Sequence, residues 1–125
     1  MIALAAFLGI VTPTELPRVV DAIEMAENSP WESPGGALQF TERTWKEETD
    51  LPYFCAKNPM IAKVVAMRRL SKHCAALEAM KIEPTAYLLG CMWNKGFVGA
   101  LRLRRLNQKC SYGERVENLF NAYTK

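Results

Sequence analysis

The segment Ala86-Tyr-Leu-Leu-Gly-Cys-Met-Trp93 constrains this chain most, because eight consecutive residues offer no charged side chain and no polar face. A helix that is apolar all round has to be surrounded by other protein or by lipid, and eight residues are far too few to span a bilayer. The segment therefore predicts a central buried helix with the rest of the domain wrapped around it. Pro84 opens it, and Asn94-Lys-Gly96 supplies the stop.

The remaining punctuation is helical too. Thr12-Pro13-Thr14-Glu15 has the form of a capping box with proline at the first helical position. A second helix is expected from about Pro17, with Val19, Val20, Ala22, Ile23 and Ala26 on one face. Residues 28–36, Asn-Ser-Pro-Trp-Glu-Ser-Pro-Gly-Gly, are dense in turn formers and predict a loop or at most a small hairpin. Helicity resumes at Thr41–Glu48, and Asn58-Pro59 is an N-cap followed by a first-turn proline. The long helix it opens carries Met67, Leu70, Cys74 and Leu77 as a buried stripe and leaves Arg68, Arg69 and Lys72 free to face water. A basic helix from Phe97 to Asn107 and a terminal one through Val116, Leu119, Phe120 and Tyr123 complete the pattern. With no repeat or linker and half of its 125 residues apolar, the chain reads as one mainly α domain over 1–125, with a very small or absent β-hairpin.

Residues 2–11 resemble a signal h-region but lack a basic n-region and a small-x-small cleavage site. They are expected to form a buried helix of the domain. Charge is uneven: residues 1–80 carry 8 Lys/Arg against 10 Asp/Glu, and residues 81–125 carry 8 against 3. Arg102, Arg104, Arg105, Lys109 and Arg115 are either a solvated helix face or an attraction to a polyanion, which could be nucleic acid or an anionic wall polymer. Cys55, Cys74, Cys91 and Cys110 are widely spaced and His73 is the sole histidine, a poor supply for a metal site, so no metal and no organic cofactor are expected. The thiols are expected to be reduced, a disulfide remaining open.

Glu27 is the candidate acid. At about 100° per residue it lies nearly above Val20 and within a turn of Ile23, at the edge of the apolar face, while Glu24 and Asp21 rotate away. Partial desolvation and the negative end of the helix dipole would both favour its protonated form, which a proton donor at neutral pH requires. The plainer alternative is a surface glutamate ending an amphipathic helix.

The stretch Ala22-Ile-Glu-Met-Ala-Glu27-Asn-Ser29, a turn, and Gly35-Gly-Ala-Leu-Gln-Phe-Thr-Glu-Arg-Thr-Trp45 resembles the catalytic core of lytic transglycosylases, goose-type lysozymes and resuscitation-promoting factors. In these a helix ends in the acid and a glycine-rich turn leads to Gly-Leu-Met-Gln or Gly-Leu-Gln-Phe-Thr. Tyr87-Leu-Leu-Gly-Cys-Met-Trp-Asn-Lys-Gly96 is similar to their Ala-Tyr-Asn-Ala-Gly segment, and Tyr112 with the following helix to their C-terminal end. The resemblance covers about residues 17–123 and implies a lysozyme-like fold. It makes Glu27 the general acid, with Gln39, Phe40, Thr41, Tyr87, Trp93 and Asn94 on the substrate side and Trp93 in the place of a tyrosine. Two departures stand out. Asn28 separates Glu27 from Ser29, and the loop to Leu38 is short, which leaves Glu32 as the alternative acid. Gln39 and Asn94 suit amide and hydroxyl groups of an amino sugar; Asn94 could equally be a C-cap, and Trp45 and Trp93 core residues.

The function so implied is cleavage of the β-1,4 bond between N-acetylmuramic acid and N-acetylglucosamine. No second carboxylate is clearly placed as base or nucleophile, since Glu42, Glu47, Glu48 and Asp50 read as solvated charges. The resemblance then favours the single-glutamate route of the transglycosylases. The partner is a peptidoglycan strand, with no nucleic acid, no stable membrane insertion and a monomeric state expected. A phage-like enzyme, released by lysis or carried in a virion and acting in the periplasm or wall, fits the lack of an obvious signal. The rivals are a catalytically inactive lysozyme-like module that binds sugar or serves a structural role, and a small basic helical protein that binds nucleic acid.

Overall fold

The computed structural model describes residues 9–122. Six α-helices follow one another: α1 (Leu16–Glu27), α2 (Glu42–Glu48), α3 (Pro59–Ala79), α4 (Ala86–Lys95), α5 (Phe97–Arg105) and α6 (Ser111–Ala122), with 3-10 turns at Pro13–Glu15 and Tyr53–Lys57. Among the described residues there is no β-strand, and Ile10 and Thr85 form an isolated antiparallel bridge. The domain is mainly α, and the 28–36 segment is a series of turns without a hairpin.

Several of the helical segments start where a side chain can serve free N–H groups. The Glu15 carboxylate accepts from the Thr12 backbone at 2.9 Å, Thr41 Oγ1 accepts from Thr44 N, Asn58 Oδ1 from Met60 and Ile61 N, and Thr85 Oγ1 from Leu88 N. Helix α4 is the centre: Ala86 and residues 88–92 are buried, and α1, α5 and α6 pack around it. Glycine makes the closest of these contacts possible. A Cβ at Gly90 would lie 2.7 Å from Val116 Cβ, and one at Gly113 would lie 2.5 Å from the Tyr87 carbonyl oxygen, so α4 and α6 approach with hydrogen where other residues carry a methyl.

Three expectations need correction. The helix expected over residues 2–11 lies outside the described residues as far as residue 8; at residues 10 and 11 the chain is not helical, and Val11 N donates to the Pro84 carbonyl at 2.8 Å. The basic helix stops at Arg105 rather than Asn107, because Asn107 takes a left-handed conformation and Gln108 N closes back on the Leu103 carbonyl. Arg69 and Glu48, both expected in water, are drawn inward: Glu48 is 5% exposed, and its oxygens accept from Arg69 Nη1 at 2.9 Å and Lys72 Nζ at 2.8 Å. Burial alone would raise the Glu48 pKa, but these two cations outweigh it and hold the carboxyl below its ordinary range. Tyr123, expected on the last helix, lies outside the described residues.

Candidate functional site

Glu27 is the last residue of α1. Asn28 ends the helix by taking the left-handed conformation, φ 48°, with its N–H on the Glu24 carbonyl. Asparagine tolerates that region better than most residues, which gives the residue between Glu27 and Ser29 a structural role. Ser29 Oγ donates to the Glu27 carbonyl at 3.1 Å and Arg115 Nη1 to the Ala26 carbonyl at 3.3 Å. The helix end is thus satisfied without using the Glu27 side chain, which is half-buried.

That side chain has one hydrogen-bond partner among the described residues. Tyr112, in the first turn of α6, donates its hydroxyl to Glu27 Oε2 at 2.5 Å. Burial first, and then the bond to the neighbouring carboxylate, push the Tyr112 hydroxyl well above the usual phenol range, so it acts as a fixed donor. One carboxyl oxygen is thereby held in place while the other has no partner among the described residues. Glu32 contrasts with it: it is exposed on the turn and makes no hydrogen bond or ion pair among the described residues.

The glycine turn leads to a second group. Gly36 has φ 70°, and its Cα presses so closely on the Ala56 carbonyl that no Cβ would fit. These contacts account for the glycine through turn geometry. The turn closes by Gln39 N to the Gly36 carbonyl and Phe40 N to the Gly35 carbonyl, both at 3.0 Å. Gln39 Nε2 donates to the Gly36 carbonyl at 2.8 Å, and its Oε1 has no protein partner.

A pocket of about 280 Å³ collects Gln39, Phe40 and Thr41 from this turn, Thr44 from α2, Arg69 from α3, and Trp93, Asn94, Lys95 and Gly96 from the end of α4. Five of the six residues expected on the substrate side share it. Phe40, 3% exposed, forms its floor, edge-on to Trp45 and Trp93 at 5.0 and 5.1 Å. Trp93 Nε1 donates to the Leu38 carbonyl at 3.3 Å, which ties α4 to the turn. Trp45 belongs to the core, its indole nitrogen donating to the Leu51 carbonyl at 2.8 Å.

Tyr87, the sixth, lies elsewhere: its hydroxyl accepts from Cys110 N at 2.7 Å and joins α4 to the entry of α6. Glu27 does not line the pocket either. Larger hollows, about 510 Å³ beside Ile10 and Val11 and about 590 Å³ between Trp31 and Phe54, contain neither Glu27 nor the Gln39–Asn94 group.

Among the described residues no cluster of three His, Cys, Asp or Glu could hold a metal ion, and all four cysteines are free thiols. Among the described residues no helix is long and apolar enough to cross a membrane. Sequence reasoning missed the Tyr112 contact with Glu27 and the place of Arg69 in the pocket. The latter had a signal, since Glu48 falls three residues after Trp45 on one helix face and needs a cation once that face is buried.

Comparison of the chain with models of known families, with curated proteins and with solved structures finds no match.

Proposed function

We propose that the chain is a lysozyme-like enzyme that cleaves the glycan strand of peptidoglycan, with Glu27 as its general acid. The observation that carries this reading is the setting of Glu27, a half-buried carboxyl at a helix C-terminus with one oxygen fixed by Tyr112 and the other without a partner among the described residues. Exposed and unsupported, Glu32 lacks that positioning. The Gln39–Asn94 pocket supplies amide groups for an amino sugar on a rigid support.

The other carboxylates favour a route without a second acid. Glu42 pairs with Lys46, Glu47 with Arg43 and Arg69, and Glu48 with Arg69 and Lys72. With these three carboxylates committed to cations, we read the reaction as one in which a hydroxyl of the sugar itself closes the ring. The expected products end in 1,6-anhydro-muramic acid.

Glu27→Gln keeps size and removes the transferable proton. Release of soluble muropeptides from purified walls is expected to fall by roughly two to four orders of magnitude, the usual scale of general acid catalysis, while Glu32→Gln stays near wild type. Collapse in Glu32→Gln alone would move the acid to the loop. Ordinary reducing ends in the mass spectrum would show that water is activated after all. A sugar-binding module without activity is the second reading. It is favoured by Glu27 lying outside the pocket, and it predicts binding to walls with no product from the wild type.

A further inference from the structure

The pocket at the end of α4 is lined by two cations, Arg69 and Lys95, and by no acid. The two are held differently. Arg69 is 17% exposed at its side chain and anchored from behind, its Nη1 donating to Glu48 at 2.9 Å and to Glu47 at 3.4 Å. Its Nε and Nη2 donate to no group among the described residues. A guanidinium fixed on one side by a buried carboxylate, with its remaining donors unused and the residue lining a cavity, is a preorganised receiver for a planar anion.

Lys95 is exposed and has no acidic partner among the described residues. It stands where the segment that this stretch resembles has alanine, so the charge is a property of this chain. Lys72 shares Glu48 with Arg69, so the charge of that buried carboxylate is divided between two cations. Gly96, the N-cap of α5, has no side chain, and the first turn of that helix beside the pocket is uncapped, which adds the positive end of a dipole to the same field.

We propose that this pocket is a carboxylate subsite, in which Arg69 and Lys95 receive a carboxylate carried by the substrate while Gln39 and Asn94 meet the sugar. It rests on the glycan reading above and sharpens it, since the preferred substrate becomes an acidic glycan and a neutral chitin-type strand is bound less well. Two sources can present the group: the lactyl carboxylate of a muramic acid without peptide, and a carboxylate of the attached stem peptide.

The test is titration of the full chain with three disaccharides, read by calorimetry and by the amide and Arg69 Nε signals in nitrogen-labelled protein. They are GlcNAc-MurNAc, the same sugar with its lactyl group amidated by a stem peptide, and neutral chitobiose. Acetate is the fourth probe. The acidic sugar from the correct source is expected to bind roughly 10- to 100-fold more tightly than chitobiose, an advantage that falls with salt.

Lys95→Glu, on an exposed side chain, should abolish that advantage, read as the ratio of acidic-sugar to chitobiose affinity in the same variant. Arg69→Lys, which retains a cation for Glu48, should reduce it. Equal affinity for acidic and neutral sugars, or no effect of Lys95→Glu, overturns the subsite while leaving wall cleavage as its own question. If no sugar binds but acetate shifts the Arg69 and Gly96 signals, the carboxylate site stands and the glycan reading fails. If neither binds, both fail.

Discussion

Acidification should destabilise this protein through a single histidine. His73, the only one in the chain, sits in α3 at 7% exposure, its ring tilted against Phe97 at 5.4 Å and its Nδ1 without a hydrogen-bond partner. Burial opposes its charge first and the Arg69 guanidinium next. Lys72 adds to that opposition and Glu48 counters it, and the pKa falls to about 4. In the unfolded chain it returns to roughly 6.5. Between these values the unfolded state binds a proton that the folded state refuses, so stability is full above the unfolded value and is lost as pH falls toward 4. The loss between pH 7 and pH 5 works out at about 2 kcal/mol, from a maximum of about 1.4 kcal/mol per pH unit. That is a large share of an ordinary folding free energy. Glu48, whose pKa is lowered, loses its contribution only below the ordinary carboxylate range, so it does not enter this interval. Urea unfolding at pH 7 and pH 5 measures the difference, with His73→Leu as the control that removes the titration at similar volume. Equal stability at the two pH values, or a loss that persists undiminished in His73→Leu, would refute the reasoning.

Tyr112→Phe removes the one hydrogen bond to the Glu27 side chain among the described residues; stability should fall by roughly 1–3 kcal/mol, the cost of leaving a part-buried polar group without its partner, and, on the function proposed above, wall cleavage should be reduced as well, both read on one preparation. Gly113→Ala sets a methyl 2.5 Å from the Tyr87 carbonyl oxygen, so the thermal midpoint should drop by the equivalent of roughly 1–3 kcal/mol, whereas Gly99→Ala, whose new methyl would lie no nearer than 3.3 Å to a neighbour, at Lys95 Cβ, should cost much less. Burial and the neighbouring Cys110 thiol push the Cys91 thiol up to about 12, so at pH 8 a maleimide should leave Cys91 unmodified in the folded protein and label it on unfolding; mass analysis of peptides decides this.

How much of this could be read from the sequence depends on the range of the forces involved. Helix starts were legible where a cap acts over three or four residues: Asn58 accepts from Met60 and Ile61 N, and Glu15 of the Thr12–Glu15 box accepts from Thr12 N. The burial of α4 was legible because no arrangement could offer a polar face. The Gln39 and Asn94 segments were legible as neighbours through the resemblance, and the pocket contains both. Arg69 was misread because helical periodicity assigns a face to a residue without saying what the facing element carries. Its guanidinium turns inward because Glu48, twenty-one residues earlier, is buried and cannot remain there alone.

Tyr112 and Tyr87 make the same point for the site. Both are tyrosines on buried helix faces, and nothing in the sequence says which hydroxyl meets a carboxylate and which meets a backbone amide. The glycines decide it. With Gly90 and Gly113 letting α4 and α6 close to hydrogen contact, Tyr87 is left to bond Cys110 N at the entry of α6. Tyr112, one residue before Gly113, lies on the side that α1 covers, where the end of that helix presents Glu27 at 2.5 Å. The proton donor to Glu27 is therefore fixed by a packing contact between two other helices. A substitution at Gly90 or Gly113 that widened their separation should weaken the Tyr112–Glu27 bond as well as the core, and, if Glu27 is the acid we propose, should reduce wall cleavage by more than the loss of folded protein accounts for.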